Sequence, residues 1–126
     1  MYDKNNVFAK IIRGEIPCNK IYENEHALSF YDISPMFSHH ALIIPKGEFE
    51  NILDFARNAT PAAQAGFWDC FVHTADIMGI DANFNVMANA GADAAFIKQS
   101  VFHFHLHLVA GEKTDELRKT LKCLCE

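Results

Sequence analysis

Residues 99–109 read Gln-Ser-Val-Phe-His-Phe-His-Leu-His-Leu-Val and alternate strictly from residue 102 onward. Successive side chains of a β-strand point to opposite faces, so we predict a strand here with His103, His105 and His107 on one face. The opposite face would belong to the core and carry Phe102, Phe104, Leu106 and Leu108. Three imidazoles in a row add nothing to packing, so we interpret the histidine face as the place where the chemistry occurs.

The composition excludes several classes of protein. The 126 residues are half hydrophobic and include eleven Phe, enough for one domain with a substantial core. A net charge of −5 argues against a protein that binds polymeric nucleic acid. No apolar run approaches the roughly 20 residues of a membrane span. The N-terminus lacks the shape of a signal peptide, and none of the four cysteines form a C-x-x-C pair. We expect reduced thiols in a cytoplasmic protein without membrane contact.

The first half of the chain predicts one short helix and three strands. Apolar spacing favours a helix over residues 7–13 that ends at Gly14. Two strands over residues 20–23 and 27–33 form a predicted hairpin, and a third covers residues 38–44. The segment around residues 50–55 has no clear pattern.

The second half predicts the longest helix and the remaining strands. Thr60 and Pro61 suit a helix start, and Gly79 suits its end. A fourth strand covers residues 83–89, a turn follows, and the histidine strand is the fifth. Residues 112–126 would form a helical tail with Thr114 as a possible cap. The predicted fold class is α+β: a five-stranded, mostly antiparallel sheet with a long helix and short terminal helices on one face.

Two chemistries use clustered imidazoles. The first is a metal site, but histidines at i and i+2 rise about 6.6 to 6.8 Å apart along a strand and would need a further ligand. Asp93, His39 and His40 are candidates, and the sequence does not select among them. The second is nucleophilic and acid–base catalysis, in which each histidine has its own task. Donors at residues 99–101 suit phosphoryl oxygens, so we favour phosphate chemistry without a metal or other cofactor.

Several blocks resemble one family. Residues 99–108 match the H-x-H-x-H-x-x signature of the histidine triad (HIT) superfamily. Residues 7–17 (VFAKIIRGEIP), 30–35 (FYDISP) and 40–46 (HALIIPK) resemble its nucleoside phosphoramidase and purine nucleotide-binding branch. The likeness runs from residue 7 to about residue 111. It implies a HIT-like fold and a single HIT domain over residues 1–126.

The resemblance implies catalytic roles. His105 would attack the α-phosphorus and hold the nucleotidyl group covalently until water releases a nucleoside monophosphate. His107 would contact the α-phosphate and help to protonate the leaving group. His103 and His40 would orient the triad and move its protons. Ser100 would donate its hydroxyl to the bridging atom.

The resemblance also implies a binding site for a purine nucleotide. Asp32 would accept both ribose hydroxyls, and phosphate oxygens would be held by Asn89, Gln99 and the Val101 N–H. The base pocket would consist of Phe8, Ile11, Ile16, Phe30 and Ile33. From the residues alone, these apolar positions fit an ordinary core equally well, and Asp32 and Asn89 fit ordinary turns.

The chain departs from the branch at three places. Ile97 and Lys98 stand where the branch usually has two glycines. Asn6 and Ala9 replace the cysteines that bind structural zinc in some relatives, and Glu48 stands where many relatives have His. We therefore predict no metal.

The family implies a homodimer whose subunits join their sheets. We predict a cytoplasmic enzyme that cleaves a P–N or P–O bond at the α-phosphate of a purine nucleotide derivative. The alternatives are a dinucleoside polyphosphate hydrolase, a nucleotide-binding regulatory module with weak turnover, and a His-ligated metalloprotein.

Overall fold

The computed structural model describes residues 1–113. These residues contain three helices and five strands. In chain order they are α1 (Val7–Ile12), β1 (Lys20–Glu23), β2 (Ala27–Tyr31), β3 (Phe37–Pro45), α2 (Ile52–Asn58), α3 (Pro61–Met78), β4 (Phe84–Met87) and β5 (Leu106–Lys113). The five predicted strands form one sheet in the order β1-β2-β3-β5-β4. The predicted α+β fold class is confirmed.

The sheet is antiparallel at every pairing of the described strands, where the sequence predicted a mostly antiparallel one. The β1–β2 hairpin is present, and its turn is held by the Asn24 side chain. Asn24 Oδ1 accepts hydrogen bonds from the backbone N–H groups of His26 (2.8 Å) and Ala27 (2.9 Å). This is a common use of Asn in turns.

The two faces of the sheet carry different helices. On one face, Ala41 and Ile43 of β3 belong to a core cluster with Phe67 and Cys70 of α3. On the other face, Leu42 and Ile44 cluster with Phe8 of α1. The prediction that all helices share one face is therefore wrong for α1. Both faces of the central strands are apolar, so each face needs its own cover.

The α3 helix follows its predicted limits. The Thr60 side chain accepts a hydrogen bond from the Ala63 N–H (3.1 Å), Pro61 opens the helix, and Gly79 ends it in the left-handed region at φ 73°. Phe67 is fully buried, with its ring centroid 5.0 Å from that of Phe55 and 5.2 Å from that of Phe104. This aromatic cluster attaches α3 to the sheet.

The short helix α2 was not predicted. It occupies most of the segment that showed no clear pattern, and Asn51 caps it by accepting a hydrogen bond from the Asp54 N–H (3.0 Å). Only Phe55 among its seven residues is buried. A single buried position gives no helical periodicity, so the signal was confined to the cap.

The histidine segment is only partly a strand. β5 begins at Leu106, and residues 99–105 are irregular. Phe104, Leu106 and Leu108 are buried as predicted, but Phe102 is 40% exposed. The strict alternation fails there because residues 99–105 make contacts outside a strand ladder. One of these contacts is the hydrogen bond from the Phe104 N–H to the Phe49 carbonyl (2.7 Å).

The C-terminal prediction falls mostly outside the described residues. β5 includes residues 112 and 113, where we expected the tail to begin, and the predicted terminal helix from residue 114 lies beyond the described part. A single domain over residues 1–126 stays a prediction. Within residues 1–113, none of the helices has the length and apolar character needed to cross a bilayer.

Candidate active site

A cavity of about 390 Å³ opens beside α1, next to the face of the sheet that carries His107. Ligand pockets commonly have volumes of about 300 to 1,000 Å³, so this space suits a small organic ligand. Eleven residues of the predicted site line it: Phe8, Ile11, Ile16, Phe30, Asp32, Ile33, Asn89, Ser100, Val101, His105 and His107. Three others, His40, Gln99 and His103, are buried behind the cavity wall.

His105 presents a free ring nitrogen to the cavity. Its Nδ1 lies 2.8 Å from the backbone carbonyl oxygen of His103, and because a carbonyl oxygen can only accept, Nδ1 carries the proton. Nε2 of the neutral ring then holds the lone pair. Burial lowers the pKa of His105, so the ring is neutral at pH 7. The edge-on ring of Phe8, 4.9 Å away between centroids, packs against it.

His107 presents the opposite group, an N–H. The Met36 N–H donates to His40 Nδ1 (2.9 Å), so the proton of neutral His40 is on Nε2, which lies 2.8 Å from His107 Nδ1. His107 Nδ1 therefore accepts, and the proton of neutral His107 is on Nε2. Burial lowers the pKa of His107 to about 3 and also lowers the pKa of His40.

The two cavity histidines thus have complementary roles. Their ring centroids lie 5.2 Å apart, one ring offering a lone pair and the other a proton donor. Such a pair can attack an electrophilic atom and stabilise the charge that develops beside it.

His103 is fixed on both nitrogens and is fully buried. Its Nε2 donates to the Pro45 carbonyl oxygen (2.8 Å), and its Nδ1 accepts from the Tyr2 hydroxyl (2.5 Å). Burial lowers the pKa of His103 to about 4. Sequence reasoning missed Tyr2, since a contact across 101 residues leaves no local pattern. His103 supports the site from behind instead of facing the cavity.

Asp32 lies at the cavity wall beside His40. Its Oδ1 accepts from the Ser34 N–H (2.8 Å), and its Oδ2 is 3.5 Å from His40 Nε2. The Asp32 side chain is 18% exposed, so the carboxylate stays accessible to a ligand that can donate hydrogen bonds.

One group of three side chains within residues 1–113 has the spacing of a metal site. Ligand atoms of Asp32, His40 and His107 lie within 4.8 Å of one another. Of the candidates considered from sequence, His39 and Asp93 are not part of it. An ion there would have to replace the hydrogen bond between His40 and His107, because both ring nitrogens of that bond face each other.

The structure gives Gln99 a different part from the one expected. Its Oε1 accepts from the Gly91 N–H (3.0 Å), and its Nε2 donates to the carbonyl oxygens of Glu50 (2.6 Å) and Val101 (2.9 Å). Both amide protons are committed to backbone, so the side chain is not available to phosphate oxygens. Gln99 instead fixes the loop that places Ser100 and Val101 at the cavity.

The expected base pocket is also part of the core. Phe8 is 8% exposed and Phe30 4%, and both cluster with Leu42 while they line the cavity. Ile33 lies at the rim and is 97% exposed. The two phenylalanines therefore belong to the core and also line the cavity, and their contact with a base stays a prediction.

The comparisons with known proteins identify the family. The HIT domain model matches residues 13–114, so the chain belongs to the HIT (histidine triad) family. The resemblance stated from the sequence is confirmed at this level.

Relatives match over most of their length. A HIT-like protein of Azospirillum brasilense is 44% identical over 113 residues, which is 89% of this chain and 90% of that protein. The structure of a HIT family hydrolase from Legionella pneumophila is 31% identical, with a TM-score of 0.74 over 86% of this chain and 95% of that one. The structure of a HIT family hydrolase from Clostridium thermocellum is 32% identical, with a TM-score of 0.71 over 87% of this chain and 93% of that one. These similarities confirm the HIT fold.

Proposed function

We propose that this HIT protein is a hydrolase that acts at the α-phosphate of purine nucleotide derivatives through a covalent nucleotidyl-histidine. The substrate class we favour is the nucleoside phosphoramidates, in which an amine is the leaving group. The observation that carries the proposal is the Nε2 lone pair of His105 facing the cavity beside the Nε2–H of His107. Two similar solved structures are named as HIT family hydrolases, which supports the hydrolytic part.

In the first step, the His105 lone pair forms a bond to the α-phosphorus as the P–N bond to the leaving amine breaks. The electron pair of that bond goes to the leaving nitrogen, which takes a proton that the exposed Ser100 hydroxyl relays from solvent. The His107 N–H donates to a non-bridging oxygen where negative charge increases. The His103 carbonyl accepts from Nδ1–H and so stabilises the positive charge on the substituted His105 ring.

In the second step, water attacks the same phosphorus and the P–N bond to His105 breaks. The bond's electron pair returns to Nε2, the attacking water releases one proton to solvent, which balances the proton taken up in the first step, and the nucleoside monophosphate leaves. Each turnover consumes one water, and the two displacements replace one harder step.

The nucleotide would bind along the apolar wall of the cavity. The ring of a purine would pack among the side chains of Phe8, Ile11, Ile16, Phe30 and Ile33, and the ribose hydroxyls would donate to the Asp32 carboxylate. The Asn89 side chain and the Val101 N–H would contact phosphate oxygens. A mostly apolar pocket with few polar groups is the usual form of such sites.

The proposal is tested by substitution of His105. We expect His105→Ala to lower hydrolysis of an AMP phosphoramidate by about a thousandfold or more while AMP binding persists. The exposed His73→Asn serves as the matched control and should retain full activity. Intact mass after acid-free quenching should show a nucleotidyl adduct on His105. Unchanged turnover in His105→Ala would refute the mechanism.

A dinucleoside polyphosphate hydrolase is the second candidate. The observation that favours it is Lys98, a cation at the cavity wall where a polyphosphate leaving group would carry charge. Initial rates on an AMP phosphoramidate and on diadenosine tetraphosphate decide between the two substrates. Tight AMP binding without turnover of either would make the protein a nucleotide-binding module.

We also propose a homodimer. β4 lies at the edge of the sheet and keeps Phe84 (43%) and Val86 (49%) exposed. Edge strands with exposed apolar side chains pair readily with a second strand, and a twofold pairing of β4 would join two sheets.

The dimer proposal predicts the result of sedimentation. Wild type should sediment as a dimer, and Val86→Asp should sediment as a monomer with native circular dichroism. Leu53→Asp, on an exposed position of α2, should stay dimeric as the matched control. A monomeric wild type would contradict the proposal.

We further propose that this single domain works in the cytoplasm. Cys18 and Cys70 are free thiols, which fits a reducing compartment.

A further inference from the structure

Within residues 1–113, the cavity wall carries one permanently charged side chain of each sign. Of the described residues that line the cavity, Lys98 alone carries a permanent positive charge, and Asp32 is the matching single carboxylate. The two cavity histidines are neutral because burial lowers the pKa of each. An anionic group on a ligand therefore has one full cation to meet, and that cation is Lys98.

The Lys98 ammonium is available for such a group. No carboxylate lies within 4 Å of it among residues 1–113, whereas Lys4, Lys20 and Lys46 each pair with a glutamate. Lys98 is exposed, so its charge reaches the cavity through solvent as well as by contact.

The backbone that carries Lys98 is fixed. The next residue, Gln99, donates its N–H to the Gly91 carbonyl (2.9 Å), and its side chain makes three further backbone hydrogen bonds. Ser100 lines the same cavity, and we place its hydroxyl at the bridging atom of the substrate. Lys98 thus lies two residues before Ser100, which we place at the leaving atom. The neighbouring residue, Gln99, is held by four hydrogen bonds to the backbone.

We propose that Lys98 forms a leaving-group subsite that selects nucleotide conjugates whose leaving group carries negative charge, such as a carboxylate or a phosphate. The inference rests on the proposed function and deepens it by naming the class of leaving group. The ammonium pairs with the anionic substituent and takes no part in the reaction at phosphorus, which is the task of His105. A partly screened pair of this kind contributes about three- to tenfold in kcat/KM.

A matched pair of substrates isolates this charge. The AMP phosphoramidates of alanine and of alaninamide share the nucleotide and the reacting nitrogen and differ in a carboxylate against a neutral amide. Lys98→Met keeps most of the length of the side chain without its charge. It should lower kcat/KM for the alanine conjugate about three- to tenfold and leave the alaninamide conjugate within about twofold. Lys98→Glu should reverse the preference of the enzyme.

The control is Lys20→Met, at an exposed lysine outside the cavity, which should leave the ratio of the two rates unchanged. The wild-type preference should also weaken as salt rises, since an exposed pair is screened. Diadenosine tetraphosphate tests a leaving group that carries phosphate. If Lys98→Met lowers kcat/KM for this substrate alone, the subsite binds phosphate. If it lowers kcat/KM for both this substrate and the alanine conjugate, the subsite binds anions in general. Equal effects of Lys98→Met on both conjugates, with no greater loss on diadenosine tetraphosphate, would overturn the inference while the proposed function stands.

A binding measurement covers the case in which wild type turns over neither conjugate. That result would end the proposed function, and the subsite is then tested by calorimetry with adenosine 5′-tetraphosphate and AMP. Lys98→Met should reduce the preference for the tetraphosphate about three- to tenfold. An unchanged ratio of the two affinities would overturn the inference independently of catalysis.

Discussion

Acid should unfold this protein at a higher pH than its carboxylates alone would predict, because four buried or partly buried histidines resist protonation. Burial lowers the pKa of His40, His103, His105 and His107 in the folded chain. The unfolded chain binds protons near the ordinary histidine pKa of about 6.5. Below that pH the unfolded state holds more protons, so the free energy of unfolding falls as pH falls.

The magnitude follows from His103, which is fully buried and has its pKa lowered to about 4. Between pH 7 and pH 5 this one residue should remove about 2 kcal/mol of stability, and by pH 4 about 3 kcal/mol. The loss is absent above about pH 6.5 and levels off below the folded pKa. Ion pairs lower the pKa values of Glu15 and Glu23, so these carboxylates titrate at more acidic pH. The change in stability between pH 7 and pH 5 therefore comes mainly from the histidines.

Urea unfolding at pH 7 and pH 5, followed by circular dichroism at one protein concentration, measures the difference. His103→Asn should be less stable than wild type at pH 7. The loss of its free energy of unfolding between pH 7 and pH 5 should be about 2 kcal/mol smaller than the loss in wild type. His73→Asn, an exposed histidine, should leave the difference unchanged. NMR titration of the His103 ring checks the cause directly. A midpoint near 6.5, or the same pH difference in His103→Asn, would refute the reasoning.

Four further outcomes follow from the geometry. Tyr2→Phe removes the hydroxyl that donates to the buried His103 and should lower the free energy of unfolding by about 1 to 3 kcal/mol, whereas the exposed Tyr31→Phe should not change it in urea unfolding. Phe67→Ala empties a fully buried aromatic site and should cost about 3 to 5 kcal/mol in the same assay. Gln99→Leu leaves three backbone groups unpaired behind the cavity and should lower kcat/KM about tenfold or more, with a wild-type value refuting its part in shaping the loop. Burial lowers the pKa of His105, the proposed nucleophile, so the acid limb of kcat/KM in a pH–rate profile should have its midpoint below pH 6.5, and a midpoint at or above pH 6.5 would contradict this.

The sequence predicted the fold well where a single physical signal acted alone. Thr60, Pro61 and Gly79 set the limits of α3 through capping chemistry that needs no tertiary partner. The side of the sheet on which α1 packs could not be predicted. That choice depends on Leu42 and Ile44, and apolar residues on both faces of β3 leave the direction open.

Most residues predicted for the site line the cavity, but their arrangement was not predicted. Alternation placed His103 beside His105 and His107 on an exposed face, but the backbone is irregular before Leu106 and turns His103 into the interior. Its partners, Tyr2 and Pro45, are distant in sequence and follow no periodic pattern. Long-range hydrogen bonds of this kind are decided by packing, which a local pattern does not record.

The group that orients the reactive ring of His105 is a peptide carbonyl, present whatever amino acid occupies position 103. A missense change at position 103 can alter the polarity behind His105, the proposed nucleophile, without deleting the carbonyl that selects the tautomer of its ring. Two parts of His103 therefore have separate effects. Its main-chain carbonyl sets the tautomer of His105, and its imidazole affects the stability of the fold. Protein engineers could redesign the His103 imidazole as an acid sensor and still keep the same nitrogen of His105 directed at the cavity.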